Sequence, residues 1–271
     1  MTQTFFDIET VGVAAEDTVT VSGMFRDDTF TVFAYVPDGV EIHREFKDNP
    51  HWYLPDEWLV SGIDINVITC HSEEKLINLT LSFFTDMEHS EEIVGFYSSE
   101  YDLPTLRTKC IEYDVSWDLP RLHSVDLYYR FRDQFNTAKP DIDGINKNPL
   151  KRFAEKLEIE IESGAYKADI VDAIEAEGYE DKQLEEFLDE EGIDRPTKSS
   201  QDLDGIFELL CEEPEEEVDP FDSSEEAVTA FEEGNIKDIV LHNVMDLYMT
   251  QQLYQHVQEY IHEDEIRSRK L

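Results

Sequence analysis

The order of strand-like and helix-like segments constrains the fold of this chain more than any other feature. Four early segments are rich in Val, Phe, Thr and Tyr and are separated by acidic or Pro-Asp-Gly turns, which predicts β-strands at 3–8, 18–25, 29–36 and 40–46. Helix-like and strand-like segments then alternate, with helices at 72–87, 102–111 and 127–133 and strands at 92–97 and 122–127. This order predicts an α/β fold in which helices flank a mixed sheet.

The second half of the chain is predicted to be mostly helical. We predict a polar loop at 134–148, a helix at about 150–157 that begins after Asn148, and a last long helix at about 236–262 that begins at Asn235. Residues 165–224 between these two helices are strongly acidic and contain three helical patterns, which predicts an acidic helical insertion. The main domain is accordingly predicted to comprise 1–164 and 225–271.

The charge of the chain is extreme. It has 64 acidic and 22 basic residues, a formal net charge of −42, and such a chain repels itself strongly at low salt. At about 1 M salt the Debye length falls to about 3 Å, which screens most of this repulsion. The composition therefore predicts a halophilic protein from a salt-rich cytoplasm. An acidic low-salt protein with disordered tails is the alternative.

The predicted salt requirement leads to a measurable result. We expect the melting temperature to rise between about 0.1 and 2 M KCl, because salt screens the repulsion among the surplus carboxylates. A thermal melt followed by circular dichroism at both salt concentrations checks this. A melting temperature that stays the same or falls would contradict the halophilic interpretation.

The sequence also predicts the cellular compartment. It has no basic segment followed by an apolar one at the start, and no apolar run approaches the length of a membrane span. Cys70, Cys110 and Cys211 form no Cys-x-x-Cys pair, which argues against a zinc knuckle and a disulfide framework. We therefore expect a cytoplasmic protein with no membrane segment.

Two carboxylates lie inside the first predicted strand. Asp7 and Glu9 occur in the sequence TFFDIET, and residues two apart on a strand point to the same face. Two ionised carboxylates held side by side in a core are costly unless a positive charge neutralises them. A divalent cation would do so. Chance is the alternative, because nearly a quarter of the residues are acidic.

Two further groups contain candidate site residues. Asp102, in YDLP, follows a strand at a predicted helix start, where it is either a helix N-cap or a site residue. His242 and Asp246 are four residues apart on the last predicted helix and therefore share a face. A surface His–Asp pair is the alternative for these two.

Taken together, FDIET, YDLP and HNVMD-x-x-x-T resemble the three motifs of the DEDD 3′–5′ exonucleases of the ribonuclease H-like superfamily. The more specific resemblance is to YprB-like stand-alone exonucleases and to the proofreading exonuclease domain of family-B DNA polymerases. It covers residues 3–161 and 225–256. His242 stands four residues before Asp246, where the polymerase branch has Tyr, and Tyr97 stands where an Asn often precedes the second motif's Asp.

The resemblance implies an activity and a set of site residues. It implies a ribonuclease H-like fold and an exonuclease that holds two Mg²⁺ or Mn²⁺ ions with Asp7, Glu9, Asp102 and Asp246. His242 would be the general base or would orient the attacking water. The implied reaction is the hydrolysis of phosphodiester bonds at a nucleic-acid 3′ end. DNA and RNA remain equally open.

Basic residues cluster in one part of the sequence. Eleven of the 22 Lys and Arg residues fall within 107–167. Six of them are candidate contacts to the phosphates of a single strand or 3′ end: Arg107, Lys109, Arg130, Arg132, Lys151 and Arg152. The alternative is that these bases form surface ion pairs with the surplus acids.

Two other functions remain open from the sequence. One is a nucleic-acid-binding module that keeps the fold without catalysis, although the presence of all four acids argues against it. The other is an interaction protein, with a protein partner at the acidic insertion 165–224. The insertion has three further interpretations: a lid over the site, an electrostatic guide that narrows the entrance to single strands, or a solvated appendage.

Overall fold

The chain forms two compact units in the computed structural model. The structure describes residues 3–40, 42–87, 91–117, 123–140, 142, 145–159, 161, 165–179, 181–193, 197–199, 202–212, 214, 218–221 and 224–261. The first unit is Met1–Asp133 with Asp202–Leu271, and the second is Gln134–Gln201. Within the part that the structure describes, no helix is long and apolar enough to span a membrane.

A mixed sheet of six strands forms the centre of the first unit. Its strands are β1 (Gln3–Thr10), β2 (Val19–Arg26), β3 (Thr29–Tyr35), β4 (Asp64–Cys70), β5 (Glu92–Gly95) and β6 (His123–Asp126). They lie in the order β4-β3-β2-β1-β5-β6. Strand β2 is antiparallel to both β1 and β3, whereas β3–β4, β1–β5 and β5–β6 are parallel pairs. Every strand except β2 therefore ends at the same edge of the sheet.

Helices cover both faces of this sheet. They are α1 (Arg44–Asp48), α2 (Asp56–Val60), α3 (Glu73–Thr85), α4 (Asp102–Glu112), α5 (Leu127–Gln134), α9 (Leu203–Leu210), α10 (Ser224–Glu232) and α11 (Ile236–Tyr260), with a 3₁₀ turn at Pro50–Tyr53. Ser72 caps α3 by accepting a hydrogen bond from Lys75 N. The mixed sheet with flanking helices that the sequence predicts is confirmed.

The alternation of side chains along β1 separates the core from the site. Phe6 and Ile8 point to the face that packs with α3 and α4, and the Phe6 ring meets Phe84 edge-on. Phe5 and Asp7 point to the other face, where Phe5 contacts Tyr254 of α11. Because successive strand residues alternate between faces, the odd-numbered acids of β1 face α11.

The second unit has a small helical core of its own. Its elements are β7 (Ala138–Pro140), α6 (Lys147–Lys156), α7 (Lys167–Glu177), α8 (Asp181–Glu191) and β8 (Thr197–Ser199), and β7 pairs antiparallel with β8. Leu150 and Phe153 of α6 pack with Ile170 and Ile174 of α7 and with Phe187 of α8. Hydrophobic burial thus joins α6 to the two acidic helices.

The division into units differs from the boundaries that the sequence suggests. The predicted insertion, 165–224, leaves α6 outside it and includes α9. In the structure α6 packs in the second unit, whereas α9 packs against α11 in the first. The apolar face of α6 supplies the reason, because its Leu150, Phe153 and Ala154 are buried against α7 and α8. The domain assignment from the sequence stays a prediction.

Three local predictions need correction. The strand predicted at 40–46 is wrong, because Arg44–Asp48 is a helix; the fourth strand is Asp64–Cys70, which the prediction missed. Helix α6 has Asn146 as its N-cap residue instead of Asn148, so its N-cap lies two residues earlier than predicted. The region predicted as a loop at 134–148 includes the short strand β7, which pairs antiparallel with β8.

Candidate active site

The predicted site residues line one cavity in the first unit. Asp7, Glu9, Asp102, His242 and Asp246 all line a cavity of about 370 Å³. Strand β1 supplies the first pair near the edge where the parallel strands end, the first turn of α4 supplies Asp102, and the middle of α11 supplies the last pair. The fold thus brings together residues from the two ends and the middle of the chain.

Three of these side chains come especially close together. Glu9, His242 and Asp246 each place a possible ligand atom within 4.8 Å of the others. Burial, together with the charge of Asp7, raises the pKa of Glu9 well above its ordinary value. Burial raises the pKa of Asp246 likewise, and the charge of His242 only partly opposes this. The negative charges of the cluster therefore destabilise one another.

Two buried carboxylate oxygens have no hydrogen-bond partner among the described residues. They are Glu9 Oε1 and Asp102 Oδ2. Asp102 is only 4% exposed, and burial, followed by the charges of Asp7, Asp126 and Asp246, raises its pKa. Leaving such an oxygen dry and unpaired costs about 1–3 kcal/mol or more. Mg²⁺ and Mn²⁺ prefer oxygen ligands, so the four acids fit divalent cations.

Asn243 holds Asp7 in its position. Its Nδ2 donates a hydrogen bond of 2.7 Å to Asp7 Oδ2. Burial raises the pKa of Asp7 to about 6, although this hydrogen bond and the charge of His242 favour the ionised form. Gly23 pairs with Asp7 across β1 and β2 and leaves room for the Asn243 side chain. A glycine on β2 thus allows α11 to approach the site closely.

Gly23→Ala is expected to disturb both stability and activity. The added Cβ would clash with Asn243 Oδ1 and would lie 2.7 Å from Leu247 Cδ1. Overpacking of this kind costs about 1–3 kcal/mol, which a denaturant titration would measure. In the double variant Gly23→Ala/Asn243→Ala the loss should be smaller than the sum of the single losses. Strict additivity, or no loss in Gly23→Ala, would contradict this packing.

His242 is held by an aspartate from the acidic segment. Its Nδ1 lies 2.8 Å from Asp219 Oδ2, and its ring meets Phe221 edge-on. Burial lowers the pKa of His242, but the hydrogen bond with Asp219 and the charges of Asp246 and Glu9 outweigh it and raise the pKa to about 11. In the cation-free protein the imidazole is therefore positively charged at neutral pH.

Asp126 organises the loop that carries Asp102. The carboxylate of Asp126, at the end of β6, accepts hydrogen bonds from Tyr97 N (3.0 Å), Ser99 N (2.9 Å), Ser99 Oγ (2.5 Å) and Tyr128 N (3.1 Å). Tyr101, next to Asp102, donates to Gly12 O at 2.8 Å and contacts Thr10 Oγ1 at 2.6 Å. These bonds tie the start of α4 to the ends of β1 and β6.

The predicted phosphate contacts differ in their surroundings. Lys109 is 1% exposed, with Nζ 3.0 Å from Glu112 and 3.4 Å from Glu73, so the structure does not present its ammonium group to a phosphate. Arg130 is also buried. Arg107 lies over the Trp117 ring, and Arg132 lies over the rings of Tyr128 and Tyr129.

The last two candidates, Lys151 and Arg152, belong to the second unit, where Arg152 pairs with Glu191. For all six bases the role in nucleic-acid contact stays a prediction.

Sequence reasoning missed three residues that support the site. Asp219 lies in an acidic low-complexity segment, Asn243 is adjacent to a candidate and Asp126 ends a short strand. Only Asp126 has a sequence feature that points to it, since a carboxylate at the end of a parallel strand lies at the edge where sites form. Nothing in the sequence distinguishes Asp219 from the acids around it.

A comparison with protein families agrees with this architecture. Residues 57–176 match the family model RNase_H_2, described as RNase_H superfamily. The fold is ribonuclease H-like. The matched range contains Asp102 and lies between the motif of Asp7 and Glu9 and the motif of His242 and Asp246. No curated protein matches this chain. The match supports the ribonuclease H-like superfamily and, with it, a nuclease-type activity on nucleic acids that typically uses divalent metals.

Proposed function

We propose that this protein is a metal-dependent 3′–5′ exonuclease that hydrolyses phosphodiester bonds of DNA or RNA by a two-metal mechanism. The observation that carries the proposal is the pair of buried oxygens of Glu9 and Asp102 that have no hydrogen-bond partner among the described residues, in a cavity that Asp7 and Asp246 also line. A carboxylate cluster of this kind needs cations, and the ribonuclease H-like fold makes a phosphodiester the natural substrate.

Asp7, Glu9, Asp102 and Asp246 would hold two Mg²⁺ or Mn²⁺ ions. Such a pair, when bound, activates a water molecule and stabilises the leaving oxygen of an in-line displacement. Asn243 fixes Asp7 by its hydrogen bond, and the hydrogen bonds to Asp126 and Gly12 fix the loop before Asp102. The protein thus holds its ligands in place before substrate arrives, as efficient catalysis requires.

His242 is proposed to accept the proton of the attacking water. The bond between its Nδ1 and Asp219 fixes the orientation of the ring, and Asp219 stabilises the imidazolium that forms. A base must be neutral before it accepts a proton. Cations in the cluster would offset the charges of Glu9 and Asp246, which are among the causes of the raised pKa of His242. The base is therefore expected to be competent only in the metal-loaded site.

The cation-free site is expected to destabilise the protein as the pH rises. The pKa of Asp7 is about 6 in the folded chain, against 3.8 ordinarily, so the folded state binds more protons between these values. The contribution of Asp7 to the free energy of unfolding is therefore most favourable below pH 4, and it falls as the pH rises to about 6. Asp7→Asn should remove this loss, which is on the order of 2–3 kcal/mol.

Thermal melts in 2 M KCl with EDTA, from pH 4 to pH 8, measure this effect. Asp7→Asn is expected to melt at a higher temperature than the parent at pH 8, and addition of Mg²⁺ should raise the melting temperature of the parent more than that of the variant. Asp48→Asn, an exposed residue paired with Arg44, is the matched control. Identical shifts for both variants would contradict a cation site at Asp7.

A strand-cleavage assay tests the proposed activity. The pure protein is incubated in molar KCl with Mg²⁺, Mn²⁺ or EDTA and with 5′-labelled single- and double-stranded DNA and RNA. We expect a ladder of products that shortens one nucleotide at a time from the 3′ end and needs a divalent cation. Cleavage of a circular single strand would show endonuclease action instead. Binding without cleavage under every condition would leave a non-catalytic module.

A further inference from the structure

A second concave surface lies at the edge of the sheet where the parallel strands end. It is a pocket of about 300 Å³ beside the ends of β3 and β4, which we call the β3–β4 pocket. Its described lining residues are three aliphatic side chains from the segment after β3, together with Arg44, Lys47, Thr69 and His71. None of them is acidic, although 64 of the 271 residues in the chain are Asp or Glu. The described lining is therefore basic, in contrast to that of the active-site cavity.

The basic side chains of this pocket differ in their contacts. Arg44 is already paired, since its Nε lies 3.3 Å from Asp48 Oδ2. The side chains of Lys47 and His71 are exposed and form no hydrogen bond or ion pair with another residue that the structure describes. The Lys47 ammonium group offers three donors, and the His71 ring and the Thr69 hydroxyl each offer at least one. An anion in the pocket would therefore meet donors that no described acid occupies.

The β3–β4 pocket lies close to the active-site cavity. The order β4-β3-β2-β1 places it two to three strand spacings from the end of β1, which is about 10–14 Å. A Cβ added to Gly234, just before α11, would lie 3.2 Å from Val40, one of the aliphatic residues of the pocket wall. His242 follows six positions after Ile236, the first residue of α11, which is about 9 Å along the helix. One nucleic-acid strand can therefore span both places.

We propose that the β3–β4 pocket binds a backbone phosphate of a single strand whose 3′ end lies in the active-site cavity. The inference rests on the proposed function and assigns the phosphate to the donors of Lys47, His71 and Thr69. Phosphates follow one another at about 3.4 Å along a stacked strand, so the contacted phosphate is the third or fourth from the 3′ end. The pocket thus anchors the strand upstream of the bond that is hydrolysed.

The charge of the chain gives this anchor its importance. A net charge of −42 repels a polyanion, and the active-site cavity adds four carboxylates to that repulsion. A direct hydrogen bond to phosphate acts over a shorter range than the Debye length of about 3 Å at 1 M salt, so screening weakens it little. An acidic peptide is the other polyanion that a basic pocket attracts. The common sheet edge favours the nucleic-acid strand, because the neighbouring site is proposed to act on phosphodiesters.

The dependence of cleavage on strand length tests the assignment. Single strands of two and eight nucleotides are compared, because only the longer one reaches the pocket. Lys47→Gln should raise KM for the longer strand about 10-fold, which is the typical effect of losing a hydrogen bond to a charged group. It should leave kcat within about twofold and change neither constant for the dinucleotide, because the contact is the same in the ground state and in the transition state.

A binding measurement in EDTA, which prevents metal-dependent hydrolysis, is independent of the proposed activity. Fluorescence anisotropy with the 5′-labelled longer strand is recorded from 0.5 to 2 M KCl. Lys47→Gln should weaken binding about 10-fold and lower the slope of log Kd against log salt by about 0.7, the value for one phosphate of a single strand. Lys75→Gln removes an exposed lysine four residues after His71 that is not among the lining residues, and it should change binding by less than twofold.

The outcomes separate the two proposals. If Lys47-dependent strand binding occurs but the parent never cleaves, the phosphate site stands and the exonuclease proposal falls. Equal binding by the parent and a folded Lys47→Gln variant, or no binding by either, overturns the phosphate site, whether or not cleavage occurs. Polyglutamate should compete at least 10-fold more weakly than the strand. If it binds more tightly and with the same dependence on Lys47, the pocket is a site for acidic peptides and the proposal is overturned.

Discussion

Replacing Asp7 with alanine is expected to lower phosphodiester hydrolysis by about 10³-fold or more. Asp7 lies on the face of β1 that meets α11, Asn243 holds its carboxylate, and it lines the cavity with the other three acids. A metal ion supplies several kcal/mol of transition-state stabilisation, and each 1.4 kcal/mol corresponds to tenfold in rate. Single-turnover cleavage of a 5′-labelled single strand at saturating Mg²⁺ measures the loss.

The control for this substitution must preserve the fold. Asp48→Ala removes one negative charge from an exposed position on α1 and should leave the cleavage rate within about twofold of the parent, because surface substitutions usually have small effects. Circular dichroism should show that Asp7→Ala is folded, with a melting temperature in EDTA at or above that of the parent. A folded Asp7→Ala protein that cleaves at the parent's rate would exclude Asp7 from the site.

Replacing His242 with alanine is expected to lower turnover by about 10²–10⁴-fold while the Mg²⁺-dependent rise in melting temperature is largely kept. The reason is that His242 is proposed to accept a proton, and general-base catalysis typically contributes a rate factor of about 10²–10⁴. The four acids, in contrast, are proposed to hold the cations. His242→Tyr should keep part of the activity, since a tyrosine hydroxyl can also orient a water. Asp219→Asn should lower turnover less than His242→Ala, because this variant keeps the imidazole and loses only its carboxylate partner.

The pH dependence separates a base from a structural histidine. In the metal-loaded parent the rate should rise with pH as His242 loses its proton, and His242→Ala should lack that rise. If the variant had the parent's rate at every pH from 6 to 9, His242 would have no part in the reaction. If it lost both turnover and the Mg²⁺-dependent stabilisation, it would be a metal ligand instead of the base.

The sequence predicts the site better than it predicts the residues that support it. Asp7 and Glu9 can be found because a strand period of two places them on one face, where two adjacent acids need an explanation. Asp102 and Asp246 then follow from the motif order. Asp219 cannot be found in this way, because its contact with His242 depends on the path of the chain through an acidic segment. A tertiary contact of this kind leaves no local pattern.

The fold, too, can be predicted where it depends on local sequence patterns and not where it depends on contacts between distant residues. The strands and long helices with strong periodicity are where the sequence predicts them, including α3 and α11. Strand β4, Asp-Ile-Asn-Val-Ile-Thr-Cys, was missed although its Ile, Val and Thr residues are typical of a strand, and it pairs along its whole length with β3. The burial of Lys109 was also unpredictable, since it depends on Glu73 and Glu112 meeting it in three dimensions.

A crystal soaked in Mn²⁺ tests the central claim most directly. Anomalous scattering locates manganese without any assumption about the surrounding protein. The account predicts two anomalous peaks in the cavity, with oxygens of Asp7, Glu9, Asp102 and Asp246 as their protein ligands. Crystals of the folded Asp7→Ala variant should lose at least one of the peaks. A cavity without manganese, in crystals that bind the ion elsewhere, would contradict the proposal that these four carboxylates form the metal site of a nuclease.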